Sequence, residues 1–188
     1  MKIIGISGKK GSGKDTFAQF LKEELEKQLG KTVKVDSFAA NLKQCCAILS
    51  GQYSCVFYNQ NLKDKKANFL SLTNRELMQK FGDLTRSIDK DIWVKSLFNK
   101  YIDNPPEYLI ISDVRFLNEA KLLTRFGDYL LVRIQSDRSI LDKHISETEL
   151  DSCLNDFNLE ITNNKSESLE QLKGKVKEVV EYIKIILE

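Results

Sequence analysis

Residues 3–16 read Ile-Ile-Gly-Ile-Ser-Gly-Lys-Lys-Gly-Ser-Gly-Lys-Asp-Thr: a short apolar strand, a glycine-rich loop closing on Lys14, and the start of a helix. Gly8, Gly11 and Gly13 lack a Cβ, so the loop can take positive φ and turn several N–H groups toward one anion. Lys14 adds a point charge, and the following helix aims its unpaired N–H groups and positive dipole end at the same place. The spacing follows G-x-x-x-x-G-K from Gly8 to Lys14 and then departs from it: Asp15 stands where a Mg²⁺-binding hydroxyl is expected, and Thr16 comes one position late. A glycine-rich strand-to-helix turn with a solvated lysine is the bland alternative. The flanks favour the phosphate loop, because Ile3–Ile6 reads as a strand and Phe17, Phe20, Leu21, Leu25 and Leu29 recur at helical spacing up to a stop at Gly30.

Working outward, Val33–Phe38 suits a second strand and a helix is expected from about Ala39, whereas 51–72 shows no clean period and is read as irregular. Thr73 and Glu76 form a capping box, with Leu72 and Leu77 placed as its hydrophobic staple. A helix fits Asp91–Ile102, burying Ile92, Trp93, Leu97 and Tyr101 before Asn104-Pro105-Pro106 ends it. Tyr108-Leu109-Ile110-Ile111 has no polar alternation, as in a strand buried on both faces of a parallel sheet. A helix carrying Leu117, Ala120 and Leu123 stops at Gly127. Strands follow at Tyr129–Ile134 and near Phe157–Ile161, then a final helix from the Ser168/Gln171 capping box through Leu187. This alternation predicts an α/β fold in three layers, with a mostly parallel central sheet of about five strands and helices on both faces. Ligands in such folds gather at the carboxyl ends of the strands, where Lys14 and Asp113 both fall.

Bulk properties bound the function. A chain of 188 residues buries roughly 70% of its unfolded surface, enough for one core without staples. No stretch approaches the ~18 consecutive apolar residues of a membrane span, and the first residues lack a signal peptide's apolar region; the expected compartment is the cytoplasm, that of the host if the chain is viral. With 29 basic and 27 acidic side chains the net charge is +2, so no bulk field selects polymeric nucleic acid or anionic lipid. Cys45, Cys46, Cys55 and Cys153 make no C-x-x-C pair and there is a single histidine, which disfavours a zinc site or disulfide framework. Apolar helix faces look committed to the core, so nothing compels an oligomer, and monomer or homodimer is expected.

Asp113 closes an apolar strand, where a carboxylate beside a triphosphate holds Mg²⁺ directly or through water; capping the next helix is its alternative role. Arg75, Gln79, Gly82 and Arg86 are spaced by four, three and four, on one face of a helix that continues through Gly82. Such a face offers two guanidinium forks and an amide to a nucleotide, and a solvated polar stripe has the same spacing.

Gly8–Thr16, Phe38-Ala39 with Leu42-Lys43, Thr73–Leu77 with Gln79, Gly82 and Arg86, Asp91-Ile92-Trp93, Ile111–Phe116 with Asn118–Ala120, and His144–Glu147 together resemble the phage-type deoxynucleoside monophosphate kinases. The likeness spans nearly the whole chain, and order and spacing carry it; Gly-Lys-Asp loops also occur in the animal type of phosphomevalonate kinase. It implies a P-loop kinase domain over 1–188 that moves the γ-phosphoryl group of ATP to a deoxynucleoside monophosphate with Mg²⁺. Gly8, Lys10, Gly11, Ser12, Gly13, Lys14, Asp15 and Thr16 would hold the donor, and Thr16 and Asp113 the metal. Lys43, Arg75, Gln79, Arg86 and Arg115 would hold the acceptor. A monophosphate-binding helical insert is implied over about 39–107 and a lid over about 135–156, with Arg133 and Arg138 as its candidate arginines. The catalytic set is then Lys14, Asp113, Arg115 and Arg138. His144 is expected to be structural, bonding Glu147, since an acceptor that is already an anion needs little proton abstraction. Asn74 stands where such proteins often carry proline, a change expected to matter little at a first helical position. The rival readings are phosphorylation of another phosphorylated small molecule, phosphomevalonate-like, and a nucleotide-dependent switch hinted at by Asn164-Lys165-Ser166-Glu167.

Overall fold

The structure, a computed structural model, describes residues 1–139, 144–152 and 156–187. Strand β1 (Lys2–Gly8) is apolar on both faces and lies at the centre of a five-stranded, all-parallel sheet, with β3 (Tyr108–Ile111) on one side and β4 (Tyr129–Gln135) on the other. The edges are β2 (Val33–Asp36), beside β3, and β5 (Leu159–Thr162), beside β4. Register places Gly5 between Ile111 and Leu131. The chain runs outward from β1 to one edge and later to the other, so its carboxyl end opens on the crevice where such sheets receive ligands.

One face of the sheet, Ile4, Ile6, Tyr108, Ile110, Leu130, Val132 and Ile134, is covered by α1 (Lys14–Leu29) and α8 (Leu169–Leu187). Phe17, Ala18, Leu21 and Leu25 of α1 meet Leu172, Val176, Val179, Val180 and Ile183 of α8 in that layer, as their three- and four-residue spacing requires. Full burial of each large side chain contributes roughly 1.5–3 kcal/mol, so this layer is a major source of the fold's stability. On the opposite face, a Cβ on Gly5 would stand 2.8 Å from Leu123 and Leu131 and 3.1 Å from Val114. Leu123 belongs to the 3-10 turn Leu123–Arg125 that ends α6 (Leu117–Leu122).

The described chain divides into two compact units, Met1–Ser37 with Tyr101–Glu188, and Phe38–Lys100. The second is helical: α2 (Ala39–Ser50), α3 (Gln60–Lys63), α4 (Asn74–Ile88) and α5 (Ile92–Asn99). The stretch read as irregular holds α3 and a 3-10 turn at Ser54–Phe57, helical turns too short to show a period. The capping box is present, with Thr73 N–H and hydroxyl on the Glu76 carboxylate (2.8 and 2.9 Å) and Glu76 N–H on the Thr73 hydroxyl (3.2 Å). Strand β2 stops at Asp36, short of Phe38, and α5 stops at Asn99. Tyr101 is outside that helix and donates its phenol to Asp36 (3.0 Å); burial, then the Asp36 charge, hold its pKa above the usual tyrosine value. Among the described residues no helix is long and apolar enough to cross a membrane, and Cys153 lies outside them.

Candidate active site

The phosphate loop is built as its glycines require. Gly11 and Gly13 take left-handed φ of 86° and 84°, where an L side chain is strained. Gly8 is needed for a different reason: it is not among the positive-φ residues, and a Cβ there would stand 2.6 Å from the Ser12 hydroxyl and 2.9 Å from Ile134 O. Ser12 N–H closes the loop on Lys9 O (3.1 Å), and Gly13 O accepts the first helical bond from Phe17 (3.0 Å). Ser12 is itself buried, with no hydrogen-bond partner for its hydroxyl among the described residues. Behind the loop, Asn163 donates its amide to Ser12 O (2.9 Å).

Lys14 opens α1 and is 8% exposed. Burial lowers its pKa most, with Asp15 opposing; Arg115 lowers it further and Asp113 opposes. The ammonium lies 3.9 Å from the Asp15 carboxylate. Asp113 is buried just past β3, in a backbone held on both sides: Ser112 N–H bonds Asp36 O and Val114 N–H bonds Ile6 O, each at 3.0 Å. The parallel pairing of β1 and β3 thus sets Asp113 and Arg115 within electrostatic reach of Lys14. Glu119, 3% exposed, accepts Arg115 N–H (2.8 Å) and Phe116 N–H (3.1 Å), which fixes the backbone that aims Arg115.

Oxygen is the donor chemistry on offer to a metal: the Asp113 carboxylate with the exposed Asp15 carboxylate and Thr16 hydroxyl. Among the described residues no three His, Cys, Asp or Glu side chains converge on one point. That set fits Mg²⁺, a hard cation that takes one or two protein oxygens and completes its shell with phosphate and water.

Four side chains of this unit shape the site in ways not expected from the sequence: Glu119, Asn163, Asp151, and Glu147, which was expected only as the partner of His144. The last two lie on the described segment 144–152, which holds α7 (Ile145–Thr148) and the 3-10 turn Glu149–Ser152. Glu147 accepts Lys10 N–H (2.9 Å) and pairs with Arg115, while Asp151 pairs with Lys9 (2.7 Å) and Arg133 (2.6 Å). No local pattern in the sequence records these partners, which lie far off in the chain. Arg133, expected as a lid arginine, is 6% exposed inside the sheet and also donates to the Ser7 hydroxyl (2.8 Å). Arg138 donates to Asn164 O (2.6 Å) and Glu167 O (3.1 Å), on the loop after β5. Residues 140–143 and 153–155 of the expected lid lie outside the described residues. His144 closes on Ser146, taking its N–H at 3.2 Å and its hydroxyl at 2.9 Å, while Glu147 turns to Lys10 and Arg115.

In the helical unit, α4 runs unbroken through Gly82, so Arg75, Gln79, Gly82 and Arg86 share a face. Arg75 already forks onto Asp64 (2.6 and 3.4 Å), and Arg86 folds back so that a Cβ on Gly82 would lie 3.0 Å from its guanidinium. Lys43 sits 4.0 Å above the Tyr58 ring. Asn74 carries more than expected: its N–H bonds Lys65 O, its amide bonds Leu62 O, and it accepts from Gln52, each at 2.9 Å. Proline could make none of these bonds.

Residues 32–176 match the family model described as deoxynucleotide monophosphate kinase. The chain is 33% identical over 186 residues to a putative deoxynucleotide monophosphate kinase of Acanthamoeba polyphaga mimivirus, covering 88% of this chain and 90% of that protein. It is 29% identical over 111 residues to the deoxynucleotide monophosphate kinase of Escherichia phage RB69, covering 56% of this chain and 44% of that one. Among solved structures, Chaetomium thermophilum Kti12 in complex with ADP-AlF3 superposes with a TM-score of 0.50 at 10% identity, covering 95% and 97% of the two chains, a likeness of fold alone.

Proposed function

Because this chain belongs to the deoxynucleotide monophosphate kinase family, we propose that it transfers the γ-phosphoryl group of ATP to a deoxynucleoside monophosphate, giving the diphosphate and ADP, with Mg²⁺. The observation that carries the reading is Lys14, a buried cation at the mouth of a loop whose Gly11 and Gly13 hold left-handed φ, with Asp113 and Arg115 within electrostatic reach. A cation kept out of water is uneconomical for folding and effective against a polyphosphate, because the low local dielectric strengthens its attraction.

In this reading the loop from Gly8 to Thr16 binds the triphosphate, and Lys14 neutralises charge as the γ-phosphoryl group departs. Asp113 and Thr16 would hold Mg²⁺, which when bound neutralises phosphate oxygens. Arg115 takes the acceptor phosphate, whose oxygen attacks the γ-phosphorus in line as the bond to ADP breaks. No general base is required, which leaves His144 a capping role. The α4 face with Arg75, Gln79 and Arg86, together with Lys43, is assigned to the monophosphate within an insert of about 39–107. A lid of about 135–156 with Arg138 completes the assignment.

The test is an acceptor panel: ATP and Mg²⁺ with each deoxynucleoside monophosphate, each ribonucleotide and phosphomevalonate, reading ADP and phosphorylated product. Product from one or more deoxynucleoside monophosphates, absent without acceptor, supports the proposal. Turnover confined to phosphomevalonate, or nucleotide hydrolysis indifferent to acceptor, defeats it.

A further inference from the structure

Glu147 ties the phosphate loop to the arginine that follows β3. Its two carboxylate oxygens are divided between them: Oε2 accepts Lys10 N–H at 2.9 Å and Oε1 accepts from Arg115 Nη1. The side chain is 9% exposed, so this carboxylate has been taken out of water to make the two contacts. Lys10 lies 137 residues away in the chain and Arg115 lies 32 away, so neither contact comes from local helix geometry. The segment bearing Glu147 is itself pinned: Glu149 accepts Leu117 N–H (2.8 Å), and Asp151 holds Lys9 (2.7 Å) and Arg133 (2.6 Å).

What Glu147 leaves open is as informative as what it holds. Among the described residues Arg115 donates its side chain only through Nη1, to Glu147 and to Ser146 O (3.4 Å). Its Nε–H and Nη2 groups form the side-on edge that grips an oxyanion with two parallel bonds, and the described residues leave this edge unused. Arg75 shows the same edge occupied, with Nε and Nη2 both on Asp64. A long arginine anchored at one terminal nitrogen loses most of its rotamer freedom before any ligand arrives.

We infer that Glu147 is a positioning residue: it fixes Arg115 by one terminal nitrogen against the phosphate loop, so that the remaining edge is aimed at the acceptor's phosphate in register with the donor. This rests on the reading of Arg115 as an acceptor-binding residue. Aspartate is one methylene too short to span both partners. Glutamine replaces one acceptor oxygen with a donor that must face either Lys10 N–H or Arg115.

A double-mutant cycle on the full chain tests it, with wild type, Glu147→Gln, Arg115→Ala and the double variant compared in kcat/KM for the acceptor monophosphate found in the panel. Misaiming a reacting group costs on the order of 10- to 100-fold, and Glu147→Gln is expected to lose that much alone. It should lose less than about twofold more in the Arg115→Ala background, because the group it positions is gone. An equal loss with and without Arg115, or an unimpaired Glu147→Gln beside an impaired Arg115→Ala, overturns the inference and leaves the acceptor assignment standing. Unimpaired Arg115→Ala overturns both. If Glu147→Gln does not fold, Arg115→Lys decides: it keeps a cation for Glu147 but has no fork, and should lose about tenfold or more in acceptor kcat/KM at an unchanged melting temperature. Wild-type kinetics for Arg115→Lys would mean that no edge is being aimed.

Discussion

Gly13→Ala is the sharpest test of the loop geometry, because two separate penalties can be assigned to it. The residue sits at φ 84°, and an L side chain there costs roughly 1–2 kcal/mol. The new methyl also collides with the Asn163 amide nitrogen, which must swing away and abandon its 2.9 Å bond to Ser12 O. A buried carbonyl left unpaired costs roughly 1–3 kcal/mol, so the total is roughly 2–5 kcal/mol. For a chain of this size that lowers the melting temperature by roughly 4–20 °C. Asn163→Ala alone removes the hydrogen bond without the backbone strain and should cost roughly 1–3 kcal/mol. In the double variant the collision has no object, so only the strain adds to the lost bond and the sum equals Gly13→Ala alone; the two changes couple by roughly 1–3 kcal/mol. Urea unfolding followed by far-UV circular dichroism measures all three. Full additivity, or a Gly13→Ala variant within about 0.5 kcal/mol of wild type, would refute the conformation described for this loop.

Lys14→Ala should reduce phosphoryl transfer by on the order of 10²- to 10³-fold, while His144→Ala, a helix cap remote from proton transfer, loses far less; equal losses in folded protein would reverse that ranking. Arg133 is nearly buried and Asp151 is 38% exposed, so the two ends of their ion pair differ in what their removal leaves behind. Asp151→Ala leaves a buried guanidinium with the Ser7 hydroxyl and the Phe157 ring and should cost about 1–3 kcal/mol, more than Arg133→Met, which leaves a solvated carboxylate still paired to Lys9; urea midpoints in the opposite order would refute this. Thr73 N–H, then the Thr73 hydroxyl, hold the Glu76 carboxyl below its ordinary value of 4.5. A depressed carboxyl contributes stability above the unfolded value that is lost as pH falls through the folded one, so the wild type's advantage over Thr73→Ala should shrink between pH 7 and about pH 3. A gap in urea midpoint that stays constant over that range would rule the capping box out as the cause.

What the sequence determined by itself was whatever short-range chemistry writes into consecutive residues. Gly11, Gly13 and Lys14 specify a loop because glycine alone enters left-handed φ without strain, and Tyr108–Ile111 specifies a doubly buried strand because it has no polar alternation. Helical spacing in α1, α4 and α8 fixed which faces turn inward, and Arg75, Gln79, Gly82 and Arg86 fell on one face as their intervals demand. Tertiary structure alone decided the partners of the charged side chains. The carboxylates of Glu147 and Asp151 reach the phosphate loop across more than a hundred residues, Arg133 leaves the surface for the sheet, and Asn74 gathers three bonds from segments that carry no period of their own. A charged or amide side chain satisfies its valences with any group of matching polarity brought within 3 Å or so. Which group that is depends on how the sheet and helices fold back, and no local pattern records it.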